Sequence, residues 1–205
     1  MGFAHASTIE DYIKQVFARK RTMDRKELLQ LGIQPRDIRA AEDRGEITRI
    51  KRGLYRLSSD YSGIESDLAD VTAASTFAVI CLTSALSYYE MISFMPPEVT
   101  VAMPMNMTFL NIAYPPVHIY YFSERSYSLG IVEQETESGK VRIYSPEKSV
   151  CDIFRYRNKL GEDLAVEALK EYLRKKASDV NKLIEYAKKL RIRTVILPYI
   201  TAILG

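Results

Sequence analysis

Tryptophan is missing from this 205-residue chain, and cysteine and histidine occur only twice each. The two cysteines, Cys81 and Cys151, stand far apart in apolar surroundings and form no Cys-x-x-Cys pair. They read as reduced core residues of a cytoplasmic protein, and neither a disulfide nor a metal site is expected there. His5 lies near the terminus, and His118 follows Pro115-Pro116 at the edge of an expected strand, where a lone histidine is more often structural than catalytic. No zincin, nucleophile-elbow, phosphate-loop or dinucleotide motif occurs. A metal-dependent nuclease pattern is also lacking: Glu133, Glu135 and Glu137 alternate along a hairpin, but no lysine stands two places after any of them. Ser145-Pro146-Glu147-Lys148 fits Ser-x-x-Lys without its companion motifs, and Ser145 makes better sense as a helix cap with Lys148 exposed. Asp152 and Arg155, spaced i, i+3, read as an ion pair on a surface or between domains. No enzymatic activity, cofactor or metal is expected.

Long apolar runs are scarce too. Val71 to Tyr89 is interrupted by hydroxyl side chains, and Val99 to Ser123 by Pro104, Pro115 and Pro116. A spanning helix needs about 20 mostly apolar residues in sequence, so no membrane partner is expected. Met1 to Ser7 has neither the basic start nor the apolar stretch of a secretory leader, and Ala6 breaks the myristoylation pattern.

What the chain does have is charge, unevenly placed. Residues 1–57 hold 13 Lys/Arg against 8 Asp/Glu, residues 58–147 hold 3 against 11, and residues 148–205 hold 13 against 7. A net charge of +3 hides this basic head, acidic middle and basic tail. Separate surfaces for separate partners are implied.

In the head, Ser7-Thr8-Ile9-Glu10 reads as a capping box with Ser7 as the cap. Ile9, Tyr12, Ile13, Val16 and Phe17 then recur at helical spacing. Asp24-Arg25-Lys26-Glu27 starts a second, short helix that Gly32 stops. Pro35 opens a third over 35–44, ended by Gly45. Helix, short helix, glycine turn and helix is the helix-turn-helix arrangement, whose second member enters the major groove. Arg36, Arg39, Ala40 and Asp43 face outward from it. Ile47 to Leu57 then gives two short strands around Arg52-Gly53, a wing whose Arg49, Lys51, Arg52 and Arg56 project towards phosphate. The DNA-contacting set expected here is Arg25, Lys26, Gln34, Arg36, Arg39, Arg49, Lys51, Arg52 and Arg56.

The wing sequence Lys51-Arg52-Gly53-Leu54-Tyr55-Arg56-Leu57 resembles that of AbiEi-family proteins, the antitoxins and autorepressors of type IV toxin–antitoxin systems. Thr83-Ser84-Ala85-Leu86-Ser87-Tyr88-Tyr89 is similar to a helix of that family, and Pro97 to Ala102 to the strand after it. Tyr144 to Asp152, followed by Arg155 to Lys159, resembles a later element, so the likeness runs along nearly the whole chain in the family's order. It implies a DNA-binding N-terminal domain, autoregulation of an operon, and a C-terminal domain that opposes a nucleotidyltransferase-type toxin.

Beyond the wing, Ser58 to Gly63 reads as a polar linker. A helix over about Ile64 to Ser75 follows, then a buried strand Phe77 to Leu82, a helix capped by Thr83 and running to about Ile92, and strands at Val99 to Met103 and His118 to Phe122. Ile131 to Glu135 and Val141 to Tyr144 form a hairpin. Helices start at Pro146, at Glu162 and after Asp179, and the last spans Thr194 to Leu204. The expected fold class is therefore α+β: a winged helix-turn-helix over 1–57, a linker over 58–63, and a larger α+β domain over 64–205 with a small mixed sheet and C-terminal helices. The function expected is a regulator of double-stranded operator DNA, acting as a dimer or as cooperative monomers on repeated half-sites. The alternative is a nuclease-like C-terminal enzyme carrying a winged-helix specificity module. Its mark would be a pocket joining Asp152, Arg155 and a strand carboxylate. The basic tail (Arg174-Lys175-Lys176, Lys182, Lys188-Lys189, Arg191 and Arg193) admits a further anionic partner.

Overall fold

A computed structural model describes residues 8–108 and 112–205. The chain forms two compact units. One takes the described residues through Thr76 with 112–115 and Glu135–Val141; the other takes Phe77 to 108, Pro116–Gln134 and Arg142–Gly205.

The first unit begins with α1 (Ile9–Phe17), which buries Ile13, Val16 and Phe17. Its cap is Thr8, whose hydroxyl accepts from the Asp11 amide at 3.2 Å; Ser7, the expected cap, lies outside the described residues. A short strand, β1 (Thr22–Asp24), leads into α2 (Arg25–Gln30). At the expected start of that helix Asp24 and Glu27 form a capping box, each carboxylate accepting the other's amide at 2.8 Å. Gly32 takes φ +87, a left-handed turn that any Cβ would strain. The chain then reverses into α3 (Pro35–Asp43), where Pro35 occupies the first turn and Ile38 and Ala41 face the core. The wing is β2 (Ile47–Lys51) and β3 (Leu54–Leu57), antiparallel in the register Ile47↔Leu57, with an irregularity between Arg49 and Lys51. On its other side β3 pairs with β1, Met23 opposite Tyr55, giving the three-stranded order β1-β3-β2. The periodicity had not signalled β1, because three residues between two helices show no alternation.

The segment 58–63 holds a 3-10 turn, Ser58–Asp60, and leads into α4 (Ile64–Ala74), which is counted with this first unit. Asp70 on α4 explains why. It is 3% exposed and pairs with Arg56 Nε at 2.8 Å and Arg21 Nη1 at 2.7 Å.

The second unit is built on a five-stranded mixed sheet in the order β6-β5-β4-β8-β7. The strands are β4 (Val79–Ile80), β5 (Val99–Pro104), β6 (Val117–Phe122), β7 (Ile131–Thr136) and β8 (Gly139–Tyr144), with the β7–β8 tip counted in the first unit. β4 runs antiparallel to β5 and parallel to β8, and β5 runs parallel to β6. The expected strand over Phe77 to Leu82 shortens to two residues because Leu82 turns to φ +44 and begins α5 (Leu82–Tyr88). Thr83 therefore lies inside that helix, its hydroxyl 3.4 Å from that of Thr100, and does not cap it. A short helix, α6 (Glu124–Tyr127), precedes the hairpin, and four helices follow it: α7 (Pro146–Leu160), α8 (Glu162–Arg174), α9 (Val180–Lys189) and α10 (Arg193–Leu204). Phe154, Leu169, Tyr172, Leu183 and Ile196 close one apolar core with Tyr144 of the sheet.

Within this core one expectation fails outright. Ser145 does cap α7, accepting from the Lys148 amide at 3.4 Å, but Lys148 is fully buried. Its ammonium pairs with the equally buried Asp152 and lies 4.0 Å from the centroid of the Tyr144 ring. Asp152 also accepts from Arg155 Nη1 at 3.1 Å, so its ion pair is an interior one. Burial holds the Lys148 ammonium below its ordinary pKa, with Asp152 pulling the other way.

Candidate nucleic-acid interface

The outward cations of the first unit lie at the start of α2 and the wing turn, which meet, and along α3. The Arg25 amide donates to the Gly53 carbonyl at 2.8 Å, so the beginning of α2 is tied to the wing turn. Arg25, Lys26 and Arg52 are all exposed there. Among the described residues none of the three has an ion-pair partner. Gln34 stands exposed at the N-terminus of α3, and Asp37 secures that first turn by accepting the Gln34 amide at 3.3 Å.

Along α3 the buried positions Ile38 and Ala41 fix which side faces away. Arg36 and Arg39, one turn apart, are exposed on that outer side. The Arg36 side chain is 86% accessible and only 3.6 Å from Asp37, an exposed contact of little energetic weight. Arg39 is free. A helix N-terminus with two exposed arginines on its outer face can read base edges, since guanidinium groups reach the O6 and N7 acceptors of guanine in the major groove.

The wing is less uniformly available than its composition suggests. Arg52 at the turn is exposed and Arg49 half-exposed, the latter 3.3 Å from Glu42. Lys51 donates its ammonium to the Ala74 carbonyl at the end of α4 at 2.5 Å. Arg56, placed by the sequence among the phosphate-facing residues, is 5% exposed. It is consumed by Asp70, by the Leu57 carbonyl at 2.9 Å and by the Tyr61 ring, 5.3 Å below its guanidinium. It is buried although alternation along β3 sets it on the face opposite Tyr55 and Leu57 of the apolar core, because α4 supplies a carboxylate on that face. Sequence reasoning missed both Asp70 and Arg21. Neither has a local signal, since the carboxylate lies 14 residues beyond Arg56 and 49 beyond Arg21.

Elsewhere the Asp152 carboxylate is enclosed by Lys148 and Arg155 and is not joined by a strand carboxylate in a pocket. Among the described residues no three His, Cys, Asp or Glu side chains cluster as a metal site, and no helix is long and apolar enough to cross a membrane.

Residues 11–58, the helix-turn-helix and wing, match a family model described as "Transcriptional regulator, AbiEi antitoxin". No curated protein matches the chain.

Proposed function

We propose, with the family match over residues 11–58 as premise, that this protein is a transcriptional regulator that binds double-stranded operator DNA through its first unit. In this reading α3 lies in the major groove, Arg36 and Arg39 meet base edges, and Arg25, Lys26 and Arg52 hold phosphates on either side. The observation that carries it is that all five are exposed around one helix-turn-helix, with the 3.6 Å contact of Arg36 to Asp37 the one ion pair they make among the described residues. Gln34 and Arg49 extend the same edge, whereas Lys51 and Arg56 are spoken for by α4. A single small module binds weakly, so two half-sites about 34–36 Å apart are expected, met by a dimer or by cooperative monomers. The match to a regulator and antitoxin family supports a regulatory role; autoregulation of its own operon and opposition to a nucleotidyltransferase-type toxin are the further parts of the proposal.

The reading is tested by fluorescence anisotropy on the DNA upstream of the protein's own gene and on a scrambled duplex. Arg36→Ala or Arg39→Ala should cost about 1–3 kcal/mol on the cognate sequence and little on the scrambled one. Arg52→Ala should weaken both alike. Equal losses on both duplexes for Arg36→Ala and Arg39→Ala would remove α3 from the groove. The antitoxin part is read separately, as relief of growth arrest when the protein is co-expressed with a nucleotidyltransferase encoded beside it.

A further inference from the structure

An open cleft of about 260 Å³ in the second unit is lined by four cations and no carboxylate. Arg125 comes from α6, Arg155 from α7, and Lys189 and Arg191 from the end of α9 and the turn after it; Ser123, Ser126 and Leu190 complete the wall. Lys189 shares Glu185 at 2.5 Å, one turn back on its own helix, and both are half-exposed. Arg125 and Arg191 have no ion-pair partner among the described residues. Arg155 is held in place by the Ser126 hydroxyl and by Asp152.

Behind Arg155 the charges do not balance. Asp152 is a single carboxylate serving both Lys148 and Arg155, and it and Lys148 are fully inaccessible. Two cations share that one carboxylate, and Arg155, 29% exposed, is the one that reaches the cleft, where its charge is not fully met from behind. Arg191 adds an independent sign. It takes φ +59 just past α9, where the Ile192 amide closes onto the Ala187 carbonyl at 2.9 Å. Glycine is the ordinary occupant of that left-handed position. An arginine there keeps its side chain at a cost in backbone strain, and such strain gathers at functional sites.

The wall also limits the ligand. No aromatic ring lines the cleft, so no platform exists for stacking a base. Its volume falls below the roughly 300–1,000 Å³ of pockets that engulf whole small molecules. Cations converging from three elements suit a compact dianion, and a phosphate monoester carries about −1.5 to −2 at neutral pH. We propose that this cleft binds a terminal phosphate, carried by a free nucleotide or by the 5′ end of a nucleic-acid strand. The inference is independent of how the first unit binds operator DNA.

The test uses the full chain with two probes: ATP by calorimetry, and a short labelled single strand bearing either a 5′ phosphate or a 5′ hydroxyl by anisotropy. Arg191→Gly is the informative variant, because glycine relieves the left-handed backbone. Its thermal midpoint should hold or rise while its affinity for the bound probe falls by about tenfold or more. Arg125→Ala should lose affinity similarly. Saturable ATP binding identifies the free nucleotide as a source, and preference for the 5′-phosphorylated strand identifies the strand end. Absence of both, binding indifferent to the 5′ phosphate without ATP binding, or unchanged affinity in Arg191→Gly would each overturn the proposal.

Discussion

An arginine can be buried only in the company of a carboxylate, and in the first unit Asp70 supplies one for two. Its oxygens divide between Arg56 Nε and Arg21 Nη1. Asp70→Ala would strand both guanidinium groups, and breaking a buried pair from one side costs about 3–5 kcal/mol. Urea unfolding should show that loss. Arg21→Met should cost clearly less, since Arg21 already leaves Nε and Nη2 buried without a hydrogen-bond partner and its removal relieves two desolvated donors. Similar losses from the two variants would mean that Asp70 acts through Arg21 as much as through Arg56. In the second unit Asp152 plays the same part for Lys148 and Arg155. Asp152→Ala should be as damaging, and the double variant Lys148→Met with Asp152→Leu should destabilise by less than the sum of its single changes.

At the level of elements, the turn before β7 and the start of α7 are coupled. Gly130 takes φ +74, and a Cβ built on it would stand 2.8 Å from Lys148 Cβ. Gly130→Ala therefore combines left-handed strain with overpacking against the buried lysine and should cost about 2 kcal/mol or more by thermal unfolding. The first turn of α7 also makes stability depend on pH. Burial pushes the Glu147 carboxyl upward, but hydrogen bonds from Ser145, its own backbone and Lys182 outweigh it and leave the pKa below 4.5. A carboxyl lowered on folding contributes stability that is complete above the unfolded value and is lost as pH falls through the folded one. Below about pH 4.5 the protein should lose stability, and Glu147→Gln should remove part of that slope. These devices also show what the sequence could reveal. The Asp24–Glu27 capping box, Gly32 and Pro35 act within a few residues of themselves, so the helix-turn-helix was legible, as were Ser145 and Asp179 as caps. Burial of Arg56 and Lys148 was not, because each is decided by a carboxylate brought in by packing. Of the nine residues expected to meet DNA, the two on which α4 makes a claim, Lys51 and Arg56, are the ones whose availability the pattern overstated.

Across the whole molecule the uneven charge acquires concrete addresses. In the basic head Arg25, Lys26, Arg36, Arg39 and Arg52 stay exposed, whereas Arg21 and Arg56 are withdrawn into ion pairs. Part of the basic tail resolves into the Lys189 and Arg191 wall of the cleft. The acidic middle contributes Asp70, which the buried arginines use. Operator binding by the head is the central claim, and a salt series on the upstream DNA tests it most directly. The logarithm of the binding constant should fall linearly with the logarithm of salt concentration. The triple variant Arg25→Ala, Lys26→Ala, Arg52→Ala should flatten that slope by about one for each phosphate contact removed. A slope unchanged in that variant, or binding of the full chain that does not respond to salt, would contradict the account.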